Sequence, residues 1–167
     1  MNYKDYSIVY SSNTGNTKRL AEALAAYLPQ DGCRYVGAPS AEGADAEMLY
    51  VGFWTDKGTA DEGALGFLKN LKGKRIFLFG TAGFGESEDY YKQILARITE
   101  ALDASNEVVG NFMCQGKMPM SVRARYEALK KEGKMPNADA MIANFDKALS
   151  HPDEADLAAF LQVVDAM

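Results

Sequence analysis

The sequence predicts a doubly wound α/β fold, in which a parallel β-sheet is covered by helices on both faces. Five strand-like segments alternate along the chain with segments that have the apolar periodicity of helices. Three of the five are nearly continuous apolar runs, which is typical of strands buried on both faces. This alternation favours parallel strands joined by helical crossovers.

The five predicted strands are short and are separated by polar segments. The first, third and fourth are the nearly continuous apolar runs. The strands cover residues 6–10, 33–37, 47–53, 75–81 and 107–114.

Four segments between and after these strands have apolar residues along one side of a helix. In the first, a leucine recurs every four residues, and in the second every three. Asp153 and Glu154 precede the last segment, where they suit the positive end of the helix dipole. The apolar stripes are formed by Leu20, Leu24 and Leu28; by Leu65, Leu68 and Leu71; by Tyr91, Ile94, Leu95, Ile98 and Leu102; and by Leu157, Phe160, Leu161 and Val164.

Two connections depart from the simple alternation. Residues 38–46 have no helical stripe, so we expect a short turn after the second strand. Residues 117–150 are too many for an ordinary connection and contain two helix-like pieces, at about 121–132 and 137–149. We therefore expect a single domain over residues 1–167, with a helical insertion at about 117–150 between the fifth strand and the last helix.

The composition excludes several classes of function. A net charge of −5 over 167 residues argues against nucleic-acid binding. The start of the chain lacks the apolar core of a signal peptide, and no apolar run reaches the ~18 residues of a membrane span. Cys33 and Cys114 form no CxxC pair, and His151 is the only histidine, so we expect no disulfide, metal site or catalytic triad. The expected location is the cytoplasm.

The segment Ser11–Thr17, "SSNTGNT", lies between the first strand and the first helix. One Ser, Thr or Asn suffices to cap a helix, a contribution of about 1 kcal/mol. The larger number of donors here favours an anion site at the carboxyl end of the strand, where helix N–H groups also point. The segment contains no lysine or arginine, so its donors are neutral. The candidate phosphate-binding residues are Ser12, Asn13, Thr14, Gly15, Asn16 and Thr17.

"SSNTGNT" directly after the first strand resembles the phosphate loop of the flavodoxin family, whose members hold flavin mononucleotide (FMN). The resemblance covers residues 6–115 and the last helix in order and spacing. It implies FMN as the cofactor, and the strand order 2-1-3-4-5 that is known for flavodoxins.

The resemblance also implies that the loop after the third strand contacts the flavin ring. Trp54 and Thr55 end this strand, and the family often places an aromatic residue against the ring at this point. The alternative for Trp54 is packing in the core. Lys57-Gly58 is expected to flip its peptide toward ring atom N5, as such a peptide does in flavodoxins, or else only to shape a turn. Thr59 or Asp61 is expected to cap the second helix.

The loop after the fourth strand is expected to line the other side of the ring. Its small residues would let backbone N–H groups approach the polar edge of the flavin, although Gly83 and Gly85 also suit a tight turn. The loop lacks the acidic residue and following aromatic that are common in flavodoxins, so Phe84 is the candidate for the second flavin face. The predicted residues are Thr81, Ala82, Gly83, Phe84 and Gly85.

The segments "KGTAD" and "CQGK" look like those of a branch of short flavodoxin-like proteins from anaerobic bacteria. Some members accompany enzymes that reduce tetrapyrroles such as bilirubin. The resemblance implies an electron carrier that serves a partner reductase. The alternatives are an FMN-dependent reductase or oxidase acting on a tetrapyrrole or quinone, and a signalling domain without flavin.

Residues 117–134 form a basic segment in this acidic chain, with a net charge of +4. The segment is either a solvated helix or a docking surface for an acidic partner protein or for tetrapyrrole carboxylates. Its cations are Lys117, Arg123, Arg125, Lys130, Lys131 and Lys134.

Overall fold

The computed structural model describes residues 5–85 and 87–167, and these contain one mixed β-sheet. Its five main strands are parallel and have the order β2-β1-β3-β5-β6, which confirms the predicted order. The short β4 pairs in antiparallel orientation with the end of β3. The strands are β1 (Tyr6–Tyr10), β2 (Cys33–Gly37), β3 (Met48–Asp56), β4 (Thr59–Ala60), β5 (Arg75–Ala82) and β6 (Glu107–Gln115).

Helices cover both faces of the sheet, as the sequence predicts. The helices are α1 (Asn16–Tyr27), α2 (Glu62–Lys69), α3 (Glu88–Ala101), α4 (Met120–Lys131), α5 (Ala138–Ala148) and α6 (Glu154–Asp165). The helices α1 and α6 contribute to one buried apolar cluster, and α2 and α3 to the other.

Alternation along the strands separates the two clusters. Ile8 and Tyr50 point toward α1 and α6, whereas Leu49 and Val51 belong to the cluster on the opposite face. All four side chains are at most 1% exposed. Burial on both faces explains why β1, β3 and β5 are nearly continuous apolar runs.

The strand β4 was not predicted, and β3 is three residues longer than expected at its carboxyl end. Asp56 pairs with Thr59 across a two-residue hairpin. Its loop residues, Lys57 and Gly58, have φ angles of 53° and 82°. Positive φ at both loop residues is favoured in such hairpins because it matches the strand twist. Asp61 is the residue that caps α2, since its carboxylate accepts a hydrogen bond from the Ala64 N–H at 3.2 Å.

The insertion between β6 and α6 contains α4 and α5, which pack on each other. Arg123 on α4 binds the Asp146 carboxylate on α5 through Nε at 2.8 Å and through Nη2 at 3.1 Å. Lys130 and Asp139 form a second ion pair between the two helices at 2.6 Å. In the described residues, no helix combines the length and the apolar character that crossing a membrane requires.

Candidate cofactor site

A cleft of about 350 Å³ opens at the carboxyl edge of the sheet. Its walls come from the loops that follow β1, β3 and β5, and from the segment that leads from β6 through the first half of α4. Ligands of doubly wound folds bind at this edge because the loops at the strand ends meet there.

The structure brings eight of the predicted site residues together in this cleft. They come from all three predicted loops, and they are Asn13, Thr14, Asn16, Trp54, Thr55, Thr81, Ala82 and Gly83. The other predicted residues do not line the cleft in the described structure, and they are Ser12, Gly15, Thr17, Lys57, Gly58, Phe84 and Gly85.

The conformation of the loop before α1 depends on a glycine with a positive φ angle and on hydrogen bonds of its hydroxyl groups. Gly15 adopts a left-handed conformation with φ of 90° and has no side chain to cap the helix. Ser12 supplies part of a cap, because its Oγ accepts from the Lys18 N–H at 3.3 Å. Other N–H groups in the first turn of a helix have no intrahelical acceptor, so they are available to an anion.

Thr17 lies below the loop and connects it to the sheet. It is 0% exposed and donates a hydrogen bond to the Phe53 carbonyl at 3.0 Å. Its Oγ1 is also 3.4 Å from the hydroxyl of Thr81. Thr17 therefore holds the loop against β3 and β5.

Thr14 and Asn16 both donate to the carbonyl of Lys117, at 3.2 and 2.8 Å. This carbonyl belongs to the segment between β6 and α4, more than 100 residues away along the chain. Gly116 permits the contact, because a Cβ at that residue would collide with the Asn16 side chain. The first residues of the insertion therefore lie directly against the predicted phosphate loop.

Trp54 is partly buried and lines the cleft. Its backbone is fixed by Asp61, since the Trp54 N–H donates to Asp61 Oδ1 at 3.1 Å and the Asp61 N–H donates to the Trp54 carbonyl at 3.0 Å. Thr55 beside it donates to the Thr81 carbonyl at 2.9 Å. These bonds hold the ends of β3 and β5 in register at the cleft.

The Gly83 carbonyl anchors the loop after β5 to the insertion. It accepts hydrogen bonds from Gln115 and from Asn144 of α5, each at 3.0 Å. A Cβ at Gly83 would approach the Met118 sulfur to 2.5 Å, so glycine allows Met118 to pack closely there.

Phe84, the residue predicted to cover the second flavin face, does not line the cleft. Phe84 is 39% exposed, and its ring meets that of Tyr90 edge-on, with 6.2 Å between ring centroids and an interplanar angle of 89°. Gly58 does not line the cleft either, and its carbonyl accepts a hydrogen bond from Arg97 Nη1 at 2.8 Å. Gly85 packs against the Gln115 side chain.

Sequence reasoning missed the wall that the insertion contributes. No local sequence pattern marks the contact between the insertion and the cleft. The position of the insertion after the fifth strand did indicate the edge of the sheet at which the cleft lies. The lining residues of this wall are Gly116, Lys117, Met118, Pro119, Val122, Arg125 and Tyr126, and Asp56 at the end of β3 is a further lining residue that was not predicted.

Two other reactive groups lie outside this cleft. Burial, followed by the nearby Asp156 and Asp153 carboxylates, raises the pKa of the Cys114 thiol well above its ordinary value. A protonated thiol is a poor nucleophile. Among the described residues, one group could hold a metal ion, namely His151, Asp153 and Asp156. The two carboxylates of this group already accept each other's backbone N–H groups as a capping box of α6.

A family model described as a flavodoxin domain matches residues 7–165. The chain belongs to the flavodoxin family. FMN is the cofactor of this family.

Two curated relatives carry the name flavodoxin-like domain-containing protein BilS. The one from Clostridium symbiosum (strain WAL-14163) is 45% identical, over 93% of this chain and 91% of its own length. The one from Clostridioides difficile (strain CD3) is 33% identical, over 90% of this chain and 88% of its own length. Among solved structures, a flavodoxin of Streptococcus pneumoniae TIGR4 is 16% identical with a TM-score of 0.50, over 87% of this chain and 97% of its own, a likeness in fold.

The lining of the cleft fits an FMN molecule in its chemistry. The amide of Asn13 and the second amide N–H of Asn16 suit a phosphate group, whereas the single hydroxyl hydrogen of Thr14 is directed to the Lys117 carbonyl. Trp54 lines the same cleft. The volume of about 350 Å³ lies within the range of roughly 300–1,000 Å³ that is usual for cofactor sites.

Proposed function

We propose that this protein carries electrons on FMN bound in the cleft and delivers them to a partner reductase. In this proposal the loop Ser12–Thr17 holds the phosphate, and Trp54, Thr55 and residues 81–83 contact the flavin ring. The observation that supports it most is that Asn13, Thr14 and Asn16, from the loop before α1, line one and the same cleft as Trp54. Lys57, Gly58 and Gly85 were also predicted to contact the flavin, and such contacts would require their loops to move toward the cleft.

Bound FMN supplies the redox chemistry, so the protein need only hold and orient it. The described lining contains no histidine and no cysteine, and its acid–base types are Asp56, Lys117 and Tyr126. The Trp54 N–H donates to the Asp61 carboxylate, and the Thr55 hydroxyl donates to the Thr81 carbonyl. These bonds fix the backbone around Trp54, which would orient the ring and exclude water from one face. These features favour a carrier over an independent enzyme.

The partner in this proposal is a tetrapyrrole reductase, with bilirubin as a candidate substrate of that partner. The proposal is supported by the two relatives named BilS and by the "KGTAD" and "CQGK" segments, which look like those of proteins that accompany such reductases. A cytoplasmic location fits two cysteines that are both free thiols.

A second candidate is an FMN-dependent reductase or oxidase that itself acts on a tetrapyrrole or quinone. The observation that favours it is that Arg125 and Tyr126 line the same cleft, so a cation and a phenol flank the proposed flavin. Such groups suit an acceptor that carries carboxylates or carbonyls.

Electron delivery separates the two candidates. The FMN-loaded protein is reduced with dithionite in anaerobic buffer, freed of excess reductant, and mixed with bilirubin, with or without a purified bilirubin reductase. A carrier gives up its electrons rapidly only when the reductase is present, and the loss of bilirubin absorbance reports this, because bilirubin absorbs more strongly than flavin in the blue. Rapid re-oxidation by bilirubin alone would support the second candidate. A colourless protein that does not bind added FMN would contradict both.

A further inference from the structure

The basic segment 117–134 is not uniformly available to an external partner. Arg123 binds Asp146 and Glu127, Lys130 binds Asp139, and Lys134 lies 3.4 Å from Glu132. Among the described residues, none of the ion pairs involves the remaining cations of the segment. These are Lys117, Arg125 and Lys131.

Two of these three cations share a single location. Lys117 and Arg125 line the cleft together with Asn13, Thr14 and Asn16, whereas Lys131 lies outside it near the end of α4. The three cations are all exposed, so their charges carry no large desolvation free energy.

The backbone of Lys117 is held from three directions. Its carbonyl accepts from Thr14 and Asn16, and its N–H donates to the His151 carbonyl at 3.1 Å. The preceding Gly116 N–H donates to the Ala82 carbonyl at 2.9 Å. These bonds join the start of the insertion to the loops after β1 and β5, so the Lys117 side chain begins next to the proposed phosphate site.

We infer that Lys117 and Arg125 are the cationic partners of the phosphate in this cleft, an inference that rests on the proposed binding of FMN. A phosphate monoester carries a charge between about −1.5 and −2 near pH 7. The loop before α1 supplies neutral donors and the partial positive charge of the helix N-terminus, but no full positive charge. An ammonium and a guanidinium on the facing wall supply the balance through charge-assisted hydrogen bonds. The insertion therefore contributes specificity for FMN over the uncharged riboflavin.

Three matched substitutions test this assignment. Lys117→Gln removes the charge but keeps the backbone carbonyl to which Thr14 and Asn16 bind. Arg125→Gln removes a charge from the cleft on α4, and Lys131→Gln removes one outside the cleft from the same helix. Glutamine and both parent residues favour helices similarly, so α4 should be unaffected. Circular dichroism of each variant checks the fold.

Dissociation constants for FMN and for riboflavin are measured by flavin fluorescence at two salt concentrations. For Lys117→Gln and Arg125→Gln we expect FMN to bind about tenfold more weakly or worse, with riboflavin affinity unchanged. The salt dependence of FMN binding should also decrease, because fewer charges are involved. Lys131→Gln should behave as the wild type.

Equal losses for FMN and riboflavin, or no loss for either, would overturn the assignment while leaving the proposed function intact. A wild-type protein that binds neither ligand would instead overturn the proposed function itself. The comparison with riboflavin thus separates the two failures.

Discussion

Thr14 and Thr17 are three positions apart in one loop, yet their hydroxyl groups lie in different environments. Thr17 is fully buried and donates to the Phe53 carbonyl, whereas Thr14 is partly exposed in the cleft and donates to Lys117. A buried carbonyl that loses its donor costs more free energy than an exposed one, because water cannot replace the donor. From the sequence we predicted that both threonines bind the phosphate. The buried environment of Thr17 predicts that its hydroxyl contributes to the stability of the fold.

Replacing Thr17 by valine should therefore lower the free energy of unfolding by about 1–3 kcal/mol. The new side chain has a similar shape but leaves the Phe53 carbonyl without this donor. Urea denaturation of the FMN-free protein measures the effect. Thr14→Val is the matched control and should cost less than about 1 kcal/mol. Equal losses of stability in the two variants would show that the buried hydrogen bond of Thr17 contributes no more to stability than the exposed one of Thr14.

At the scale of the elements, α4 and α5 form a hairpin joined by Arg123 and Asp146. The hydrogen bonds from the guanidinium, together with its charge, hold the pKa of the Asp146 carboxyl below its ordinary value, against the opposing effect of desolvation. A depressed pKa in the folded state contributes stability above the ordinary aspartate value, and this stability is lost as the pH falls through the folded-state pKa. The hairpin should thus remain joined at neutral pH and loosen in acid.

An NMR titration of side-chain carboxyl carbons should find Asp146 titrating below the ordinary aspartate pKa of about 3.9. In Arg123→Gln, the Asp146 pKa should rise toward that value. Asp103 is the internal control, because a hydrogen bond from Ser105 lowers its pKa independently of the hairpin. An Asp146 titration that is the same in both proteins would mean that the ion pair is absent in solution.

The elements that the sequence predicted well are those with a local signal. Continuous apolar runs marked β1, β3 and β5, and leucine spacing marked α1, because burial on known faces dictates these patterns. The strand β4 has only two residues, too few for an alternation of apolar and polar residues to be visible in the sequence. The sequence identified Asp61 as one of two candidate caps of α2. It did not predict that the Asp61 carboxylate also accepts a hydrogen bond from the Trp54 N–H.

At the scale of the whole molecule, the sequence predicted the edge of the sheet that holds the cleft but not the composition of its walls. The rule that strand ends meet at one edge located the loops after β1, β3 and β5. The contact between Asn16 and Lys117 spans 101 residues and depends on how the insertion folds back, for which no periodicity exists. The direction of the Phe84 ring was not marked in the sequence either: it meets Tyr90, and Phe84 does not line the cleft.

The central claim is that FMN binds in the cleft against Trp54, and the fluorescence of Trp54 tests it most directly. Trp54 is the only tryptophan of the chain, so indole emission reports on this cleft without interference from another site. Titrating FMN into flavin-free protein should quench this emission strongly and saturate at one FMN per chain. Stoichiometric FMN binding, seen in the flavin signal, with unchanged indole emission would place the cofactor elsewhere and contradict the account.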